Sequence, residues 1–408
     1  MRRKSNFITI LKAKYFMKKI WIMSGESSGD IYGAALAEEL RIIAAGKSEP
    51  IHISGMGGAA MKNAGVEILV DSTELGVVGF IEVLKNIFTF IGIFLKLVKK
   101  ARAERPDLVI LIDYPGFNLR FAKKMFKYGI PVCWYVSPQV WMWGKKRIPV
   151  LAKICRKMLV IFPFEVDVYK KSGIRVDAKF TGHPLADSVA AARDKTIVRQ
   201  QDTLLLLPGS RKNEVDRLLE PMFDTVCELK KIHPEMKFHL SAPREKILSM
   251  CREIHRKYLM KHPELPEITF SIGDSNYWQQ RATAGIAASG TVTVECALND
   301  LPLVVGYKLN WFTYLLLCIF VTPFRGFYTM TNIIANKEIY KEFLQSPFCA
   351  ENILPAVRDI LPGGKRCDEV ASGMAEVAAL LRSDSGESAI SRAAKECYAI
   401  MEADDEKL

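Results

Sequence analysis

From Lys18 onward, short apolar runs of strand length alternate with stretches whose apolar positions recur every three or four residues, the pattern of parallel sheets covered by helices. The first series of runs is KKIWIMSG, IHISGMGG, VEILVDS, DLVILID, PVCWYVSP, KMLVIFPFE and AKFTGHP, ending near His183. A second begins at TLLLLPGS and continues through KFHLSAP, ITFSIGD, AGIAASG and PLVVGYKL. Between them, residues 188–202 carry small and charged side chains without strand signal, which places a domain boundary there. The pattern predicts an α/β protein of two doubly wound domains, residues 18–190 and 200–365, followed by helices over 366–408. Residues 1–17 are read as an N-terminal extension, expected to be disordered or untranslated, with Met17 an alternative start. Two such domains facing each other would bring the loops after their strands together, and ligands are expected on those loops.

Two segments break the alternation. In residues 80–100, Glu82, Lys85, Asn86, Thr89, Lys96 and Lys99 form a narrow polar stripe, leaving a wide apolar face that includes Ile87, Phe90, Phe94 and Leu97. This is either a core-facing helix or a helix lying in a membrane interface, the latter favoured by the basic flank Lys96, Lys99, Lys100 and Arg102. Charges inside it argue against a transmembrane span. Residues 311–324 are uncharged but too short to cross a bilayer. They read as a buried helix or, given Trp311, Tyr314, Phe324, Arg325, Phe327 and Tyr328, as an interfacial loop.

The length of 408 residues exceeds what one core usually organises, which supports two domains, and 49% apolar with 25% charged residues is the composition of a folded chain. The net charge of +12 is concentrated at one end, because seven positive charges fall within the first nineteen residues and the remainder carries +5. No aromatic-plus-basic motif accompanies it, so a nucleic-acid partner is disfavoured and a surface facing anionic lipid is the better use. Nine cysteines at irregular spacing, without a CxxC pair, encode neither a zinc site nor a disulfide framework and suit a reducing cytoplasm. A signal peptide is not expected, since Lys12 and Lys14 interrupt the N-terminal apolar patch.

The candidate chemistry lies after the strands. SGESSGD, Ser24 to Asp30, is a glycine- and hydroxyl-rich strand-to-helix turn whose unpaired backbone donors suit an anion or sugar oxygen. It is not GxGxxG, which disfavours a dehydrogenase. Asp113 ends the run DLVILID, a place from which a carboxylate points into the ligand crevice as a base or a sugar-hydroxyl partner; capping the next loop is its alternative role. Trp141 and Trp143 in YVSPQVWMWGKKR suit sugar faces or acyl chains, and equally ordinary packing. Pro208, Gly209, Ser210 and Arg211 bring a hydroxyl and a guanidinium to a helix start, a diphosphate-binding arrangement that needs no metal. Ser289, Gly290 and Thr291 repeat the idea, with Glu295 one turn on, suited to a ribose diol. Walker, nucleophile-elbow and metal-spaced histidine patterns are absent, so no cofactor and no metal is expected.

The blocks SGESSGD, GVVGFIEVL, IDYPGFN, YVSPQVWMW, FPFE, GHPLAD, LLPGSRKNEV, ASGTVTVECAL, VVGYK and TNIIANKE, in this order from Lys18 to about residue 365, resemble the lipid-A-disaccharide synthases. The resemblance implies a GT-B architecture with UDP held by the C-terminal domain. It also implies an inverting transfer from UDP-2,3-diacylglucosamine to 2,3-diacylglucosamine 1-phosphate, at the inner face of a bacterial inner membrane. It makes Asp113 the candidate base, Glu26 a further catalytic carboxylate at the cleft, as base, orienting group or binding group, and Arg211 the stabiliser of the leaving diphosphate. Asn332, implied as a further UDP-binding residue, matches the asparagine of a block that commonly reads SLPN and here reads TMTN. The implied partners are the two acylated sugars and a membrane surface, with an oligomer left open. The rival readings are another GT-B UDP-sugar transferase or epimerase on a soluble substrate, and a catalytically silent peripheral membrane protein.

Overall fold

A computed structural model describes residues 17–72, 87–308, 326–382 and 386–405. Among the described residues the chain forms two compact units, residues 1–184 with 383–408, and residues 185–382. The first is built on a seven-stranded sheet of β1 (Lys18–Ser24), β2 (Ile51–Gly57), β3 (Glu67–Asp71), β4 (Leu108–Ile112), β5 (Val132–Tyr135), β6 (Lys157–Val160) and β7 (Ala178–Phe180). Their spatial order is β3-β2-β1-β4-β5-β6-β7, all parallel. Every residue of β4 is buried, as an unbroken LVILI run at the centre of a parallel sheet covered on both faces should be. The edge strands β3 and β7 are only partly covered.

The second unit holds β8 (Thr203–Leu207), β9 (Lys237–Ala242), β10 (Ile268–Ile272), β11 (Ala284–Ala288), β12 (Leu303–Tyr307) and β13 (Lys341–Leu344), in the order β10-β9-β8-β11-β12-β13 and again parallel. In each sheet the strand order reverses once, between β1 and β4 in the first and between β8 and β11 in the second. Connections leave in opposite directions there, which opens a crevice at the carboxyl ends of those two strands.

The helical C-terminal segment divides. Helix Cys367–Leu381 belongs to the second unit, whereas helix Ala389–Asp405 packs on helix Ser27–Gly46 of the first. Ala393, Ala394, Cys397 and Met401 of this helix are buried, and Glu396 bonds Lys157 at 2.6 Å.

Helix Ile87–Glu104 resolves one choice left open by its sequence. Leu97 is 1% exposed, and Phe90 and Phe94 pack against the core, Phe94 edge-on to Phe117 at 5.5 Å between centroids. These three positions therefore face the sheet instead of an interface. The outward apolar positions are Phe88, Ile91 and Leu95, 85%, 48% and 58% exposed. Helical periodicity defined the faces but not which would meet the core: Phe117, Phe121 and Trp21 form an aromatic bed that takes the 90, 94, 97 stripe. Trp311 and Phe324 lie outside the described residues. Among the described residues no helix is long and apolar enough to cross a membrane.

Candidate active site

Two clusters of the expected residues form, one at the switch point of each sheet. In the first unit β1 ends at Ser24, and Gly25 and Glu26 turn the chain into helix Ser27–Gly46. Glu26 is exposed with extended backbone, while Asp30, one turn in, is buried. The Asp30 carboxylate accepts the backbone N–H groups of Gly58 at 2.6 Å, Ala60 at 2.9 Å and Met61 at 3.2 Å, so the last residue of the SGESSGD block anchors the loop after β2. Gly25 is required by a close approach: a Cβ there would meet the Tyr114 ring at 2.3 Å.

Across the switch point, β4 runs into Asp113 and Tyr114, both in the left-handed region at φ 44° and 49°. Pro115 then opens helix Pro115–Lys127. Burial, together with repulsion from the Glu26 carboxylate, pushes the Asp113 carboxyl up to about 6, against a Tyr114 backbone hydrogen bond that pulls it down. A carboxylate of that basicity is mostly ionised at neutral pH yet a better proton acceptor than an exposed one. Glu165, in helix Pro163–Lys171, is 2% exposed, and burial pushes it up to about 8 although it accepts the Phe162 N–H. Trp141 is half-buried and edge-on to Phe164 at 5.4 Å, while Trp143 ends the short helix Val140–Trp143.

In the second unit Gly209, Ser210, Arg211, Ser289, Gly290, Thr291 and Glu295 line one cavity of about 350 Å³, at the small end of the range for small-molecule sites. The walls also include Glu214, Ser241, Pro243 and Ser275. Gly209 sits at φ 109°, a conformation favouring glycine. The Glu214 carboxylate accepts the backbone N–H groups of Ser210 at 3.1 Å and Arg211 at 3.2 Å, and meets the Arg211 guanidinium at 3.0 Å. It thereby fixes the turn before helix Lys212–Ile232. Arg211 itself is 67% exposed, although paired with Glu214. Burial pushes the Glu295 carboxyl up, opposed by hydrogen bonding from Gln279 at 3.4 Å. Gln279 is in turn held by Asn299 at 2.8 Å.

Asn332 stands apart from this cavity. It is fully buried, its Oδ1 accepts the N–H groups of Ile339 and Tyr340 at 2.9 Å each, and its Nδ2 donates to the Tyr340 carbonyl at 2.8 Å. Its amide is thus taken up in holding the segment that leads into β13 against helix Met330–Ala335. It is linked to the cavity rim through Glu342, which accepts the Tyr328 and Thr329 N–H groups while the Tyr328 carbonyl accepts from Ser289.

Sequence reasoning passed over Glu214 because a capping box is recognised by Ser or Thr three residues before the acid, and here Arg211 holds that place.

A family model described as lipid-A-disaccharide synthetase matches residues 20–393. The chain is 34% identical over 397 residues to the lipid-A-disaccharide synthase of Koribacter versatilis, covering 95% of this chain and 100% of that protein. It is 36% identical over 352 residues to that of Trichlorobacter lovleyi, covering 84% and 88%. The fold is similar to the S. aureus MnaA–UDP co-structure, with TM-score 0.60, 13% identity and coverage of 92% and 94%. It is also similar to the UDP-GlcNAc 2-epimerase from Neisseria meningitidis bound to UDP-GlcNAc, with TM-score 0.57, 11% identity and coverage of 95% and 100%. At such identities these two likenesses concern the fold alone, two parallel-sheet α/β domains of GT-B type.

Proposed function

The chain belongs to the lipid-A-disaccharide synthetase family and is a hexosyltransferase of lipid A biosynthesis, and on that premise we propose how its residues divide the work. The enzyme condenses UDP-2,3-diacylglucosamine with 2,3-diacylglucosamine 1-phosphate, giving the β-1′,6-linked disaccharide 1-phosphate and UDP. Asp113 takes the proton of the acceptor 6-hydroxyl as its oxygen bonds to the anomeric carbon from the face opposite UDP, which inverts that carbon. Glu26, exposed beside it, binds the acceptor and keeps Asp113 basic through its charge.

Gly209, Ser210, Arg211, Ser289, Gly290 and Thr291 hold the diphosphate, and Glu295 holds the ribose diol. Arg211 offsets the charge that grows on the departing UDP. What carries this division is the placement of each cluster: a half-buried carboxylate of raised basicity at one sheet's switch point, and a cavity with donors from two strand-to-helix turns at the other's. Asn332 serves by fixing the loop that bonds Ser289. Turnover of the two acylated sugars to disaccharide and UDP in detergent tests the reading. UDP binding without turnover would redirect it to a soluble acceptor.

Both substrates are acylated, so the enzyme works at a membrane surface, on the cytoplasmic side where UDP-sugars are made. We assign the docking role to Phe88, Ile91 and Leu95, with Lys96 and Lys99 exposed beside them. Replacing the three apolar residues with serine is expected to reduce co-sedimentation with anionic vesicles at least tenfold, with the melting temperature kept within a few degrees. The same change at Phe90, Phe94 and Leu97 should instead lower the melting temperature steeply. Undiminished vesicle binding by the outward triple would sink the assignment.

A further inference from the structure

We propose that Asn118 is a positioning residue for the proton transfer: its side-chain amide latches the end of β4 in the left-handed turn that presents Asp113. The proposal rests on the reading of Asp113 as the base.

Two consecutive non-glycine residues at positive φ are costly, on the order of 1–2 kcal/mol each, because Cβ crowds the following carbonyl oxygen. Tyr114 also precedes Pro115, whose ring favours extended backbone in the residue before it. Such a turn persists only if its surroundings over-determine it. Asn118 supplies the constraint. It is fully buried, and its Nδ2 faces three carbonyl oxygens, Asp113 at 2.8 Å, Ile112 at 3.3 Å and Met23 at 3.4 Å. The first two belong to the end of β4 and the third to β1, so one amide ties together both strands of the switch point. Its backbone N–H holds the Tyr114 carbonyl at 3.1 Å.

The orientation of the amide is unambiguous, since the reverse would set its oxygen against three carbonyl oxygens. That choice leaves Oδ1 buried without a hydrogen-bond partner, a cost on the order of 1–3 kcal/mol. An apolar side chain of similar volume would avoid this cost but could not hold the turn. A carboxylate there would be repelled by the carbonyls, and serine reaches fewer of them. The latch keeps the Asp113 carboxyl in its half-buried place. The titratable groups that bear on it are Glu26 after β1, Glu165 at the start of helix Pro163–Lys171 and the neighbouring Tyr114, none of them cationic.

The test compares Asn118→Ala, Asp113→Asn and, as a stability control on the same helix, Met125→Ala, whose side chain is fully buried. For Asn118→Ala, kcat is expected to fall roughly 10- to 100-fold, the order expected when a reacting group is displaced by about 1 Å, with KM for the UDP-sugar within about twofold. Because the freed carboxyl meets water, the acid limb of the pH profile should move from about 6 toward the ordinary carboxylate range. Met125→Ala should lose melting temperature but keep the limb. Asn118→Ser, which retains one donor, covers the case in which the alanine variant does not fold, and should show the same displacement with a smaller loss. An unmoved limb in whichever Asn118 variant folds, with kcat no lower than in Met125→Ala, overturns the latch. Full activity of Asp113→Asn would instead overturn the base. The two failures are distinct, because in the first Asp113→Asn is inactive.

Discussion

Replacing Asp113 with asparagine is expected to lower kcat at least about a hundredfold and at the same time to raise the melting temperature above pH 6. The first effect follows from the amide's inability to accept the proton of the acceptor hydroxyl. The second follows from the direction in which the carboxyl is displaced. Its folded-state value of about 6 lies above the ordinary 3.8, so the folded state holds the proton more tightly than the unfolded one. Stability therefore falls as pH rises through that interval, and the ionised carboxylate burdens the fold above it. Two pH units of displacement would correspond to about 3 kcal/mol, which partial solvent contact reduces to about 1–2 kcal/mol. Asparagine, neutral at every pH, regains that amount at pH 8 and nothing below pH 4. Turnover assays paired with thermal melts at the two pH values check both halves. Loss of activity with an unchanged or lower melting temperature at pH 8 would mean that the site does not strain the ionised form.

Arg211→Ala should reduce kcat by roughly a hundred- to a thousandfold, the usual consequence of removing one donor from a growing negative charge. The effect belongs in kcat more than in KM, because the backbone donors near Ser210 and Ser289 remain to bind ground-state diphosphate. Arg211→Lys should recover only part, since an ammonium cannot match the two-pronged geometry of a guanidinium. A variant that lost only UDP-sugar affinity would make Arg211 a binding group without a share in bond cleavage. Kinetics at saturating donor, with UDP inhibition measured alongside, separate the two outcomes.

The strands were legible wherever a buried parallel strand leaves its mark as an unbroken apolar run, as in LVILI and TLLLL. β13 was not, because KEFL is an edge strand of partly exposed residues in which Lys341 and Glu342 dilute the apolar signal. The residues that line the second unit's cavity, from Gly209, Ser210 and Arg211 to Ser289, Gly290, Thr291 and Glu295, were legible as candidates because glycine, hydroxyl and guanidinium after a strand are unusual for packing alone. What eluded the sequence was support. Asn118, Glu214 and Gln279 act on backbone or on another side chain, and their roles depend on distances that no spacing rule encodes. The same limit applies to helix Ile87–Glu104: both faces are apolar, and only the aromatic bed beneath it decides which one is spent on the core.

Helix Ala389–Asp405 has a consequence for biogenesis. Lys157, Glu49 and Cys133 of the first unit all await partners from it, Glu396, Tyr398 and Cys397. The unit that begins first during translation is therefore the one finished last, since all of residues 185–382 must be synthesised before its closing helix exists. Until then the apolar side of helix Ser27–Gly46 lacks its cover, and the nascent first unit depends on the second being made promptly.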